Sequence, residues 1–269
     1  MSHPTGGDRL ILVHNTYFIS TYIISMSMRI WASQRDRRML QPFDVSVALD
    51  PLTEAYPPAN LLLEAAKTGD RDVRYAMSRL WLSEGVPFAF KSRPGVYEAL
   101  RIWLARRLDV EAKEITIIGS GRQGFSLSPD QNVGRPFGSH SDLDFTVISS
   151  NLFPRLVDAF RRWEQDYTQG VVSPRHEKEK ELWEENKKKC PPAAELGFID
   201  PYKIPTWKSY PEAQMVEQAL WEAHEKLKLT LGAPNVRKVS LRVYRNWDAF
   251  VRQMAINLEA VCKYSAPEV

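Results

Sequence analysis

The sequence predicts an α+β fold, in which a small mixed sheet is flanked by helices, with additional N-terminal and C-terminal helices. Short apolar runs at 115–118, 141–148 and 236–245 have the length and alternation of strands. Longer segments around them repeat apolar residues every three or four positions, as on one face of a helix. A chain of 269 residues, 43% hydrophobic and 26% charged, can bury a substantial core.

Residues 1–56 form a poorly defined N-terminal extension in this interpretation. Its segment 10–31 is largely apolar and precedes a basic cluster at 35–38. The segment approaches the length of a membrane-spanning helix, so it could anchor the chain. It could also be an upstream extension that the folded domain does not need, because Met26, Met28 and Met39 offer alternative starts.

Three helices are predicted between this extension and the first strand. Segments 59–66 and 72–83 are separated by Thr-Gly-Asp at 68–70, which is a stop and restart signal. Segment 94–108 is amphipathic and should pack behind the sheet. Its apolar face is formed by Tyr97, Leu100, Leu104 and Leu108.

The first two strands should be joined by a long loop or an irregular hairpin. The first strand ends at Gly119, and the second begins near Ser141. Proline and glycine would break a crossover helix between them. These residues are Pro129, Gly134, Pro136 and Gly138.

The C-terminal half predicts three further helices and one strand. Segments 151–167, 211–231 and 248–261 have apolar stripes at helical spacing, and 236–245 alternates like a strand. The highly charged segment 175–189 is expected to be a solvated helix or arm that ends at Pro191-Pro192, with nucleic-acid contact as the alternative.

A proline-punctuated segment at 197–207 combines an acid, a lysine and two aromatic residues. Such a composition suits a loop that closes over a base or a ribose, although similar loops also serve only to cover a core.

Charge and cysteine content exclude several classes of protein. The formal net charge is only +3, so no strong overall field requires nucleic acid as a partner. The two cysteines, Cys190 and Cys262, are too few for a disulfide framework or a zinc site. This usage favours a reducing, cytoplasmic location.

The second strand carries a pair of acids that suits a divalent metal. Residues two apart on a strand point to the same side, so Asp142 and Asp144 should present their oxygens together. Mg²⁺ prefers a few carboxylate oxygens completed by water and substrate phosphates. Gly119 and Ser120 would let a phosphate approach the backbone at the end of the first strand.

These residues resemble the nucleotidyltransferase superfamily related to DNA polymerase beta. Its signature is an apolar strand ending in Gly-Ser or Gly-Gly, a strand with Asp-x-Asp or Asp-x-Glu, and a third acid on a later strand. Gly119-Ser120 and Asp142-x-Asp144 match, and Ser141 before the first acid is also similar to the family. The resemblance implies a nucleotidyltransferase-like domain over 57–269, with a motif core at about 90–165 and a C-terminal helix–strand–helix unit at 209–264.

The resemblance implies transfer of a nucleoside monophosphate from a nucleoside triphosphate to a hydroxyl group. Asp142 and Asp144 would be the catalytic metal ligands for Mg²⁺ or Mn²⁺. Gly119, Ser120, Arg122 and Ser141 would bind the nucleotide. The acceptor could be a nucleic acid, a nucleotide, a protein or a small molecule.

The sequence departs from the family pattern in two ways. The gap between Ser120 and Asp142 is longer than usual, and no third acid is evident on the strand at 236–245. That strand offers Lys238 and Arg242 instead, which could bind triphosphate charge. The third metal ligand would then be Asp200 from the loop.

Other hypotheses stay open. One is a catalytically degenerate nucleotide-binding or regulatory module. Another is a structural or interaction protein, which segment 10–31 could tether to a membrane. A weaker option is a dinucleotide-binding protein, because Gly119, Gly121 and Gly124 fit the spacing G-x-G-x-x-G. That fingerprint requires a helix and a parallel crossover after the strand, which the loop at 125–139 argues against.

Overall fold

The computed structural model of this chain describes residues 43–128 and 133–264. All helices and strands within these ranges belong to a compact unit that begins at Ser46. The described ranges contain eight α-helices and one mixed sheet of four strands, which confirms the predicted α+β class.

The helices, numbered in chain order, are α1 Ala59–Thr68, α2 Arg71–Leu80, α3 Pro94–Leu108, α4 Ser120–Gln123, α5 Leu152–Thr168, α6 Glu177–Leu196, α7 Pro211–Leu229 and α8 Trp247–Tyr264. The strands are β1 Ile115–Ile118, β2 Leu143–Ile148, β3 Phe198–Ile199 and β4 Val239–Tyr244.

The sheet has the strand order β1-β2-β4-β3. β2 is antiparallel to β1 and parallel to β4, while the two-residue β3 is antiparallel to the end of β4. The parallel pairing requires a crossover, which runs through α5, α6, β3 and α7. In this register Asp144 lies between Ile118 of β1 and Ser240 of β4.

Two hydrophobic clusters pack against residues of the same central strands. The first contains Phe145 and Val243 and draws its other members mainly from α3, α5, α6 and α7. The second contains Ile148 and Tyr244 and is completed by α1, α2 and α8. Because side chains alternate along a strand, Phe145 and Ile148 of β2 serve opposite faces of the sheet.

Helix α6 corrects one expectation from the sequence. The predicted end at Pro191-Pro192 is wrong, because the helix continues through both prolines to Leu196. Trp183, Asn186 and Cys190 are buried along it, so tertiary packing holds this segment helical. The prolines leave the carbonyl groups of residues 187 and 188 without their usual helical donors, so this packing must offset the lost hydrogen bonds.

The segment 197–207, expected to be a loop, contains two short elements. Phe198–Ile199 forms β3, and Pro201–Lys203 forms a single 3-10 turn. Gly197 precedes them with φ +93°, and an added Cβ there would lie 2.8 Å from the Cβ of Ala249. The close contact and the left-handed backbone both require glycine at the end of α6.

The apolar segment 10–31 lies outside the described residues. Among the helices within the described ranges, none combines the length and the apolar character that crossing a membrane requires.

Candidate functional site

The Gly-Ser bend at the end of β1 lies beside Asp144. Gly119 has φ +65° and ψ −150°, a conformation that only glycine adopts without strain. A Cβ at this position would lie 3.3 Å from Oδ2 of Asp144. The bend therefore brings backbone close to a carboxylate oxygen, as the sequence pattern predicts.

Asp144 is a largely buried carboxylate. Its Oδ1 accepts a hydrogen bond of 2.6 Å from the hydroxyl of Ser240 on β4. Burial raises the pKa of Asp144, and the negative charge of Asp142 raises it further, while the Ser240 hydrogen bond acts in the opposite direction. No donor from the described residues bonds to Oδ2, and Asp144 lines a cleft.

Asp142 is held by two basic residues that lie just before β4. The Nε and Nη2 atoms of Arg237 lie 2.9 Å from Oδ1 and Oδ2 of Asp142, and Nζ of Lys238 lies 3.5 Å from Oδ2. Partial burial would raise the pKa of Asp142, but these contacts outweigh it and hold the pKa below its ordinary value.

Asp200 and Arg242 bind each other. Nε and Nη2 of Arg242 lie 2.6 and 3.1 Å from the two carboxylate oxygens of Asp200. Nζ of Lys203 lies 3.1 Å from Oδ2 of the same group, which is 5% exposed. Burial would lower the pKa of Arg242, but its bonds to Asp200 raise it above the ordinary value. The expected third metal ligand is thus engaged in an ion pair.

Two other predicted nucleotide-binding residues have local roles. Arg122 is buried, and its Nε donates a hydrogen bond of 3.0 Å to the carbonyl oxygen of Trp81. The hydroxyl of Ser141 accepts a hydrogen bond of 3.2 Å from the backbone N–H of Gly138. Neither side chain lines the cleft beside Asp144.

This cleft has a volume of about 660 Å³. A polar part is formed by Asp144, Lys238, Ser240 and Arg242, and it meets the 3-10 turn and α7. The cleft therefore has charged, polar and apolar lining residues, with Asp200 and Glu217 among the charged ones. Its apolar part includes Pro201, Tyr202, Ala213, Val216 and Leu220.

Asp142, Gly119 and Ser120 are not among the residues that line the cleft. These three residues lie next to the cleft, because two of their neighbours line it. Ile118 precedes the Gly-Ser bend, and Lys238 contacts Asp142. The structure therefore brings Asp144, Lys238 and Arg242 to one cavity and keeps Asp142 next to it.

The acid pair fits a metal ion that arrives with phosphate ligands. Oδ2 of Asp144 has no hydrogen-bond donor among the described residues, whereas Arg237 bonds both oxygens of Asp142 and would have to move for a metal ion to bind them. In the described part of the chain, no three His, Cys, Asp or Glu side chains are grouped to hold a metal ion. Two carboxylates plus substrate phosphates is a common donor set for Mg²⁺, whereas an all-protein cage needs more ligands.

The dinucleotide-binding alternative does not fit this geometry. Helix α4 after Gly119 spans only Ser120–Gln123, and Gly124 ends it with φ +91°. β2 then returns antiparallel to β1. The fingerprint requires a parallel strand–helix–strand unit, so the three glycines serve a tight turn instead.

Sequence reasoning missed Arg237 and the role of Ser240. Arg237 lies just before β4, where no periodic pattern marks it, and only the pairing of β2 with β4 places it against Asp142. Ser240 was visible as a polar residue on that strand, but its partner depends on the register that aligns it with Asp144.

Comparisons of this chain with protein-family models, with curated proteins and with solved structures found no match.

Proposed function

We propose that this protein is a metal-dependent nucleotidyltransferase, similar to the superfamily related to DNA polymerase beta. It would bind a nucleoside triphosphate in the cleft beside Asp144 and transfer the nucleoside monophosphate to a hydroxyl acceptor. The observation that carries the proposal is the position of Asp144 Oδ2. This oxygen has no hydrogen-bond donor among the described residues, and it lies beside the Gly119 bend, 3.3 Å from where a Cβ on Gly119 would be.

The sheet topology supports this proposal. The Gly-Ser bend ends β1, and the acid pair begins the neighbouring antiparallel strand β2. β4 lies on the other side of β2, where the family places its third strand. These features agree with the resemblance, and a random pair of acids at a strand end would not explain the bend beside them.

The cleft also suits a nucleoside triphosphate. Lys238 and Arg242 lie in the cleft near Asp144 and could contact phosphate oxygens, although Asp200 and Glu217 also line it. Asp200 fixes the guanidinium of Arg242 in one orientation. The apolar part near Tyr202 and Leu220 can accept a base. Charged and apolar residues in one cavity are what a ligand with phosphates and a base requires.

In this proposal Asp142 and Asp144 hold Mg²⁺ or Mn²⁺ together with the phosphates. The metal ion would supply charge stabilisation for the attacking and leaving oxygens. Gly119 and Ser120 would contact the phosphates through the backbone and the hydroxyl. Lys238 and Arg242 would balance the charge that moves onto the leaving pyrophosphate.

A second candidate is a nucleotide-binding module that has lost turnover. One observation favours it: Ser240 and Arg242 of β4 are paired in register with Asp144 and Thr146 of β2, so this strand presents no acid beside the pair. Without a third carboxylate the metal would be held less firmly. Such a module would bind the triphosphate and release no pyrophosphate.

The test uses the full chain with labelled ATP, GTP, CTP and UTP and with Mg²⁺ or Mn²⁺. Saturating ligand at 100 times its dissociation constant stabilises a protein by about 2.7 kcal/mol, so binding should raise the melting temperature measurably. Products are then separated by chromatography after incubation with oligonucleotides, nucleotides, proteins and small alcohols as acceptors.

The Asp142→Asn, Asp144→Asn double variant should lose both the thermal shift and any product. The matched control is Asp158→Asn, which removes an exposed carboxylate from an ion pair on α5. Thermal stabilisation with no product from any acceptor favours the second candidate. The proposal fails if no triphosphate stabilises the wild-type protein, or if the double variant binds as well as the wild type.

A further inference from the structure

The two basic residues on Asp142 occupy the oxygens that a metal ion would need. Arg237 makes two parallel contacts of 2.9 Å with the carboxylate, and Lys238 adds a third at 3.5 Å. The carboxylate side chain is 20% exposed, whereas those of Arg237 and Lys238 are 65% and 60% exposed. The acid is thus enclosed by two cations whose own side chains reach into solvent.

Backbone pairing fixes this arrangement. The N–H of Arg237 donates to the carbonyl of Ser141 at 2.9 Å, and the N–H of Leu143 donates to the carbonyl of Lys238 at the same distance. These backbone hydrogen bonds therefore align segment 141–143 with segment 237–238 independently of the side chains. The side chains of Asp142, Arg237 and Lys238 meet as a consequence of strand register.

The contacts themselves are easy to exchange. An ion pair between exposed groups contributes little net free energy, because solvent screens the charges and ordering the side chains costs entropy. Both cations can leave Asp142 without unfolding any element, since their backbone bonds to 141–143 remain. A divalent ion approaching Asp142 alone, however, meets two positive charges at the carboxylate.

We infer that Arg237 and Lys238 make metal binding conditional on triphosphate binding, an inference that rests on the proposed function. The two cations occupy Asp142 in the ligand-free protein. An arriving triphosphate attracts them to its oxygens, and the metal ion takes their place on the carboxylate. Metal and triphosphate consequently bind with positive coupling, and each raises the affinity for the other by the same factor.

The experiment measures Mn²⁺ affinity directly, by the electron paramagnetic resonance signal of free Mn²⁺. The full-length wild type and the Arg237→Ala and Lys238→Ala variants are titrated with Mn²⁺ alone and with a non-hydrolysable triphosphate present. The Mn²⁺ that the triphosphate binds without protein is measured separately and subtracted. The matched control is Arg161→Ala, which removes the same charge from an exposed pair with Asp158 on α5.

Arg237→Ala should bind Mn²⁺ alone about two- to fivefold more tightly than the wild type, which is the range expected for loss of one exposed competing pair. Its triphosphate affinity should fall, and the factor by which triphosphate increases Mn²⁺ affinity should become smaller. Lys238→Ala should change these values in the same direction but less. Arg161→Ala should match the wild type.

An unchanged or weaker Mn²⁺ affinity in Arg237→Ala overturns the inference. The proposed function stays intact in that case if the wild type still binds Mn²⁺ together with triphosphate. Equal changes in Arg161→Ala also overturn it, because overall charge would then explain the effect. If no triphosphate binds to any variant, the inference and the proposed function both fail.

Discussion

Asp142 and Asp144 differ in environment although one residue separates them. Asp142 is screened by two cations and has a lowered pKa, whereas Asp144 is buried with one hydroxyl partner and has a raised pKa. A buried carboxylate with few partners is costly to ionise. The protein therefore keeps a destabilising charge at Asp144, as is common at functional sites.

We expect Asp144→Asn to stabilise the protein near neutral pH. Asparagine has almost the same shape, and its carbonyl oxygen can still accept the hydrogen bond from Ser240. The substitution removes a charge that is buried next to another acid. The melting temperature should rise by about 2 °C or more, the shift that about 1 kcal/mol produces in a chain of this size.

The stabilisation by Asp144→Asn should depend on pH. Because the folded-state pKa of Asp144 is raised, its contribution to stability is fully present below the unfolded pKa of about 3.9 and is lost as the pH rises through the folded value. The advantage of Asp144→Asn over the wild type should therefore be smallest in acid and grow toward neutral pH. Asp158→Asn is the control, and an advantage that shrank with rising pH would contradict the explanation.

Part of the site could be predicted from single residues. The i, i+2 spacing of the acids and the glycine before Ser120 are local features, and local features are visible in a sequence. Ion pairs are different. Asp200 and Arg242 were expected to bind separate parts of a ligand, but strand pairing and the turn after β3 place them together. Such contacts depend on register, which one sequence does not reveal.

Helix ends were predictable where the chain carries a local signal. Helix α3 has the predicted bounds, because Pro94 begins it and Asp109, with φ +55°, ends it. The two-residue β3 has no alternation to detect and exists only because β4 is beside it. Helix α6 was predicted too short because tertiary burial outweighs the local effect of Pro191-Pro192.

These prolines should cost stability that substitution can recover. Pro192→Ala restores an N–H that can donate to the carbonyl of Lys188, and it removes the clash of the proline ring with that carbonyl. Without the proline ring the unfolded chain has more conformational entropy, which reduces the stabilisation by about 0.4–1 kcal/mol. We expect a net stabilisation of about 1 kcal/mol, measured by urea unfolding.

Pro211→Ala is the matched control, because Pro211 begins α7, where proline is favourable. It should leave stability unchanged or reduce it by up to about 1 kcal/mol. A loss of stability in Pro192→Ala would instead mean that the prolines set a bend on which the packing of Cys190 or β3 depends.

At the scale of the whole molecule, the sheet joins the two hydrophobic clusters. β2 contributes Phe145 to the first cluster and Ile148 to the second, and β4 contributes Val243 and Tyr244 in the same way. Loss of packing in either cluster would disturb β2 and β4, which also contribute residues to the other cluster. Residues 46–264 should therefore unfold in one cooperative transition.

The two cysteines offer a separate reporter for each cluster. Cys190 is buried in the first cluster, and Cys262 is partly buried against the second. Burial raises the pKa of Cys190 to about 11, so the folded protein holds little reactive thiolate there. In Cys262→Ser, reaction of the remaining thiol with a disulfide reagent reports opening of the first cluster, and Cys190→Ser isolates the second.

Phe250→Leu should accelerate labelling of the buried Cys190, whereas Cys262 is partly exposed and can also react in the folded protein. Phe250 is fully buried in the second cluster, and its truncation to leucine should cost about 1 kcal/mol, which is roughly a fivefold increase in the open population. Cooperative unfolding transmits this increase to Cys190, although that residue lies in the first cluster. The control is Ile256→Ala, a half-exposed position on the same helix α8, which should change neither rate appreciably. If Phe250→Leu left the labelling rate of Cys190 unchanged, the clusters would open independently, and strands β2 and β4 would not couple them.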